Sequence, residues 1–455
     1  MSLPASLSVF FAQMESQEGS IPRLDLDTYI QNYTGPTRFD RLIHIGKTCV
    51  PLAVEALKAA VTEAKKGVDI GRYREAFELI RIAAPGEPEA HRDHAWIERT
   101  DAANREETRR LDLQLKGYKN NLIKESIRMG NEDLGTHFEN IGNLHEAAEA
   151  YGRMRQDVST TKQIIDCGLH LVDVHMRRRD WGLALTNAGK ITGMNSEREA
   201  YNVLYAKVVS GICQLGLENF REAAKNFLQA DSGVPSSDYR QLASPNDIAI
   251  YGGLLALATF DRSELQAQVL DGQSFRTFLE HEPHIRKAIS FFVNGRYSNC
   301  LSILESYRNE YLLDIYLHKR IDAIYTRIRA KCIVHYFVPF SCVTLESLNT
   351  AFGMPGYNLQ EELIRMIRDG ELKARIDAKN KLLVAVRPDP RLVLQRTALD
   401  IASTYEREAV ERLRRINLVA AGLEMASTRK FTQNPTGASE GHLDDDLPGS
   451  QSIEV

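Results

Sequence analysis

Residues 134–155 read LGTHFENIGNLHEAAEAYGRMR. Phe138, Ile141, Leu144, Ala147, Ala148 and Tyr151 recur at helical spacing, so each helical stretch carries an apolar face. Leu144 follows a polar loop, and a small residue, Ala147, stands three positions on. The same motif of polar loop, large residue and small residue occurs at Tyr73/Ala76, Trp181/Ala184, Phe220/Ala223 and Tyr297/Cys300. Successive steps are 71, 37, 39 and 77 residues. They are close to two, one, one and two units of roughly 36–39 residues, the length of a stacked helix pair.

One helix pair cannot bury its apolar stripe alone. The small residue lets the next helix approach closely, and the large one fills the groove between pairs. The period fits repeats of the tetratricopeptide type. The expected fold is therefore mainly α, beginning with a helical-repeat solenoid.

The rest of the chain is ordered around this array. It has 455 residues, 43% hydrophobic and 26% charged, which is enough for a sizeable core. Lys and Arg total 57 against 61 for Asp and Glu, a net charge of −4, which argues against a general polyanion binder. Residues 1–13 lack the basic start and apolar run of a signal peptide, and no apolar run is long enough to span a membrane. Cys49, Cys167, Cys213, Cys300, Cys332 and Cys342 form no C-x-x-C pair and read as reduced core residues. Residues 1–22 read as a flexible tail. The repeat domain is expected over 23–240, with a charged connector or solvated helix face at 85–110. Ser232–Pro245, rich in Ser and Pro, marks the boundary.

A second domain is expected over 245–390. Its helical part, 245–337, leads into a different texture at 338–388. A short extended piece at 339–343 precedes Thr344, which can cap a helix through Phe352. Gly353, Pro355 and Gly356 break that helix. Asn358 can cap the next, with Leu359, Leu363, Ile364 and Ile367 on one face. Two alternating runs follow: Leu372, Ala374 and Ile376, then Leu382, Val384 and Val386 after a turn at 378–380. Helix, strand, helix, helix, strand, strand is the order of a winged helix. A long helix is expected over 391–425, where Ala409, Leu413, Ile416, Ala420 and Leu423 step as a heptad seam. These five residues are the expected interface. Residues 426–455 read as a disordered tail.

No catalytic signature emerges. Gly46-Lys47-Thr48 ends like a P-loop, but Arg41 stands where the first glycine belongs, so the amides cannot curl around a phosphate. His91/His94 and His281/His284 have the wrong spacing for a helical zinc site, and Pro283 interrupts the second pair. No H-x-H of a metal-dependent isopeptidase occurs, and no G-x-S-x-G. The chain is expected to be no enzyme, with no cofactor and no metal. Nucleic acid is a weaker alternative: the second winged-helix helix carries Glu361 and Glu362 near its start, although Lys373, Arg375, Lys379 and Lys381 line the wing.

A helical repeat running directly into a winged helix resembles the PCI-domain family. Particular stretches go further: 251–262 (YGGLLALATFDR), 274–283 (SFRTFLEHEP), 295–301 (GRYSNCL), 312–317 (LLDIYL), 324–329 (IYTRIR), and 24–29 (LDLDTY) with Tyr33, Gly35 and Arg38. In combination, over 24–425, they resemble the subunit 1 family of the COP-9 signalosome, with a paralogous proteasome-lid family as the alternative. The resemblance implies a non-catalytic scaffold. Its complex removes NEDD8 from the cullins of cullin-RING ubiquitin ligases, with the metalloprotease chemistry in another subunit. It further implies an outward-reaching repeat, a winged helix within an arc of such modules, and a carboxy-terminal helix in a shared bundle. The implied partners are other PCI and metalloprotease-type subunits and, through them, cullin-RING ligases, with no membrane. The expected location is nucleus and cytoplasm.

Overall fold

The computed structural model describes residues 24–193, 199–230, 241–353, 359–386 and 390–422. The α-helices of six residues or more begin with α1 (Leu26–Gln31), α2 (Gly35–Thr48), α3 (Val50–Lys66), α4 (Ile70–Ala83) and the long α5 (His94–Asn121). The repeat continues through α6 (Lys124–Ile141), α7 (Leu144–Met154), α8 (Thr161–Arg177), α9 (Trp181–Ile191), α10 (Glu199–Gly216) and α11 (Phe220–Leu228). Then come α12 (Pro245–Thr259), α13 (Gln273–His281), α14 (Pro283–Val293), α15 (Tyr297–Leu312) and α16 (Ile321–Phe337). The last part is β1 (Cys342–Thr344), α17 (Leu345–Phe352), α18 (Leu359–Arg368), β2 (Ala374–Asp377), β3 (Leu382–Ala385) and α19 (Pro390–Ala420).

Four helix pairs turn in the same way. Gly142, Arg179, Glu218 and Gly295 take left-handed φ values of 92°, 60°, 64° and 74°. The next N–H in each turn donates back to a carbonyl of the preceding helix: Asn143 to Phe138, Asp180 to His175, Asn219 to Gln214 and Arg296 to Phe291. This closure ends one helix and aims the next antiparallel to it. Leu144, Trp181, Phe220 and Tyr297 are then the first residues of their helices. Ala147, Ala184, Ala223 and Cys300, three positions on, are all buried. Tyr73 is out of phase. Asp69 accepts from the Arg72 N–H and starts α4 at Ile70, so the unit equivalent to the others opens at Ile70 and Tyr73 sits one turn inside.

The described residues up to Ala385 form one compact unit and those from Val386 on a second. In the first, a single core runs from Ile165 on α8 to Leu383 on β3. It spans both sides of Ser232–Pro245: Phe227 and Ala230 before that stretch pack in the same cluster as Ile248 and Ala249 after it. A separate core joins α1–α4 and takes in Leu313.

Arg41, on α2, is fully buried. Its Nη2 is 2.8 Å from Asp247 and its Nη1 2.9 Å from Asp314. Its guanidinium carbon stands 4.0 Å from the centre of the Tyr33 ring. Tyr33 Oη donates to Asp247, and Tyr251 Oη donates to Asp314 at 2.5 Å. The N–H groups of Tyr316 and Leu317 complete Asp314, each at 2.8 Å. Burial alone would push the Asp314 carboxyl up, but Arg41, Tyr251 and these two amides outweigh it and hold it below its ordinary value. Three distant segments, around 29–41, 244–251 and 311–317, thus meet on one guanidinium.

Beside this cluster, the His44 ring lies 4.4 Å from that of His318, centre to centre, and Nε2 of His44 bonds the Leu312 carbonyl at 3.0 Å. Burial pushes His44 down to about 4 from 6.5. The folded chain therefore refuses a proton that the unfolded chain takes up below about 6.5. Stability is expected to fall between pH 6.5 and 4, by about 3 kcal/mol at most from this group. Thermal melts across that range should show a shallower decline for His44→Asn than for the wild type.

The winged helix has strand order β1-β3-β2, antiparallel throughout. Thr344 accepts from the Ser347 N–H and starts α17. The expected Pro355, Gly356 and Asn358 signals lie outside the described residues. Leu372 and Ala374 face the core as expected, but on β3 the inward residue is Leu383, whereas Val384 and Val386 are exposed. The register decides this, because Leu383 pairs with Val343 and Ile376 on the inner face. A buried ion pair, Arg329 Nε to Glu362 at 3.0 Å, ties α16 to α18, and Arg329 Nη2 bonds the Phe352 carbonyl.

Candidate assembly surface

The heptad residues of α19 are placed on a helix none of whose described residues is buried. Leu413 is 59% exposed and Ile416 61%. Ala420 is exposed and Ala409 half-exposed, while Leu423 lies outside the described residues. At 3.6 residues per turn the apolar surface is wider than that seam and covers roughly half the circumference. Ala398, Ala402, Ala409 and Ala420 run along its middle. Leu394, Ile401, Tyr405, Ile416 and Val419 flank them on one side, and Leu392, Leu399 and Leu413 on the other. A trough of alanines between two ridges lets a facing helix approach closely. An isolated helix of this kind leaves its apolar face in water, where each large side chain forgoes about 1.5–3 kcal/mol of burial.

A heptad template finds a narrow seam and misses Leu392, Leu394, Leu399, Ile401 and Tyr405. Scanning the same helix at period 3.6 reveals them. The winged helix offers a second surface. β1 and β2 are the outer strands of the sheet, with Cys342, Arg375 and Val384 exposed on its outer face. An edge strand presents unpaired backbone groups to a further strand.

The other candidate residues for chemistry lie elsewhere. Gly46-Lys47-Thr48 is the last turn of α2, not a loop between strand and helix, and a Cβ at Gly46 would lie 2.6 Å from Leu57. His284 stacks on Tyr307 with ring centres 3.8 Å apart and bonds Tyr311 Oη at 2.6 Å. Among the described residues no group of three or more His, Cys, Asp or Glu side chains is placed to hold a metal. No described helix is long and apolar enough to cross a membrane. On α18, Glu362 is buried against Arg329, whereas Glu361, Arg365 and Arg368 face outward. Arg41, the residue that broke the P-loop pattern, has become the buried centre of the fold.

A helical repeat whose core continues into a three-stranded winged helix defines a PCI-domain protein, and the PCI domain family matches residues 304–387. The family described as 26S proteasome subunit RPN7 matches 93–268. COP9 signalosome complex subunit 1 of Neurospora crassa is 50% identical over 423 residues, covering 92% of this chain and 94% of that protein. The Emericella nidulans protein of the same name is 44% identical, covering 89% of this chain and 84% of its own. A rice protein named 26S proteasome non-ATPase regulatory subunit 6 is 24% identical, covering 75% and 85%. The chain belongs to the COP9 signalosome subunit 1 family, and the proteasome proteins are its paralogues.

Proposed function

We propose that this chain is a non-catalytic scaffold of a COP9 signalosome, supporting the removal of NEDD8 from the cullins of cullin-RING ligases. The observation that carries the proposal is α19, thirty-one residues long with no described residue buried. A helix with that much exposed apolar surface is soluble and ordered when other helices cover it. Its partners in this reading are PCI and metalloprotease-type subunits, which join it by the strand edges and by a shared helical bundle. Cullin-RING ligases are met through the complex, in nucleus and cytoplasm.

Purification of the tagged full-length chain from its own cells, with mass spectrometry of the companions, tests this. Signalosome subunits in constant ratio are expected, together with a rise in NEDD8-bound cullin when the chain is depleted. Recovery of proteasome-lid subunits instead, or unchanged cullin modification, would refute it.

A further inference from the structure

The turn between α5 and α6 breaks two local rules at once. Leu122 closes α5 in the left-handed region, with φ 56°, where glycine or asparagine is the residue that fits without cost. Ile123 occupies the N-cap of α6 and gives it no side-chain hydrogen bond, where Ser, Asp or Asn serves best. The equivalent positions of other turns are Gly142-Asn143 before α7, Arg179-Asp180 before α9 and Glu218-Asn219 before α11; those caps make no side-chain hydrogen bond either, but none of these turns places two large apolar residues there. Burial does not repay the cost, because Leu122 is 82% exposed and Ile123 55%. Met129, one turn into α6, is exposed too. Residues that fit neither the backbone nor the core are expected where a surface serves something outside the chain.

Three lysines flank this tip. Lys116 and Lys119 precede Leu122 on α5 at helical spacing, and Lys124 opens α6. All three are exposed, and none makes an ion pair among the described residues. The neighbouring acid, Glu125, is already engaged by Arg128 and Gln163. We propose that the α5–α6 tip docks an acidic, leucine-bearing segment of a partner protein. Leu122 and Ile123 supply the apolar anchor and the three lysines meet the carboxylates. Three lysines are too few to hold nucleic acid at physiological salt, and two apolar side chains too few for stable membrane anchoring.

The test uses the full-length chain and a fluorescein-labelled synthetic peptide of repeated Asp-Leu-Glu-Leu units, read by anisotropy. Its controls are the same peptide with Asn and Gln for the acids, phosphatidylserine vesicles, and a short DNA duplex. The wild type is expected to bind the acidic peptide in preference to every control. Leu122→Gly with Ile123→Ser should weaken binding about tenfold or more. It should also melt no lower than the wild type, because glycine relieves the backbone and serine caps the helix. Lys119→Glu with Lys124→Glu should weaken binding at least as much and remove its salt dependence. Absence of peptide binding, equal binding by either variant, a lower melting point for the glycine-serine variant, or preference for vesicles or DNA would overturn the proposal.

Discussion

Leu413→Asp is expected to abolish recovery of partner subunits while leaving the melting behaviour of the isolated chain unchanged. Leu413 is exposed in the chain by itself, so the carboxylate meets water there and costs little. In an assembly that covers the α19 face, the change forfeits about 1.5–3 kcal/mol of leucine burial. It also buries an unpaired charge, at a cost of several kcal/mol more. At about 1.4 kcal/mol per tenfold, the affinity should fall by roughly three orders of magnitude or more. Ile416→Asp, on the opposite ridge, should behave alike, whereas Arg414→Asp on the polar side should assemble. Co-purification and a thermal melt of each variant are the two measurements. A variant that melts early would place the residue inside the chain's own fold.

Arg41→Met is expected to be the most destabilising single change in the compact unit. It leaves Asp247 and Asp314 buried without their shared counter-ion. Loss of one partner of a buried pair costs about 3–5 kcal/mol. The damage should be local first: α1–α4 are held to α12 and to residues 311–317 through this guanidinium, so they should become the first site of limited proteolysis. Adding Asp247→Asn and Asp314→Asn removes the orphaned charges, and much of the lost melting temperature should return. If Arg41→Met melts like the wild type, the guanidinium is not what holds the three segments together.

These two sites differ in how visible they are in the sequence. The repeat is legible because it is local: a polar turn, a large residue and a small one recur at the period of a helix pair. The winged helix is legible as an order of elements, helped by the Thr344 cap. The face of β3 is not, because Leu382-Leu383-Val384-Ala385-Val386 is apolar throughout and a period of two has no contrast to grip. The register against Val343 and Ile376 chooses Leu383 instead.

Arg41 is harder still. Its partners stand 206 and 273 positions away, and nothing near Arg41 signals them. Tyr33, Tyr251 and Asp314, which meet around it, fall in three of the stretches that carry the family resemblance.

On α19 the sequence already contains the wide apolar band, and the heptad template picks out only part of it. What no single sequence contains is the surface that covers that band. Amide hydrogen exchange of residues 390–420, compared between the isolated chain and the chain recovered with its partners, addresses this directly. The account predicts rapid exchange for α19 alone and protection by orders of magnitude in the assembly, centred on Ala402–Ile416. Equal protection in both samples would mean that the helix finds its cover within its own chain, and equal exposure that it has none.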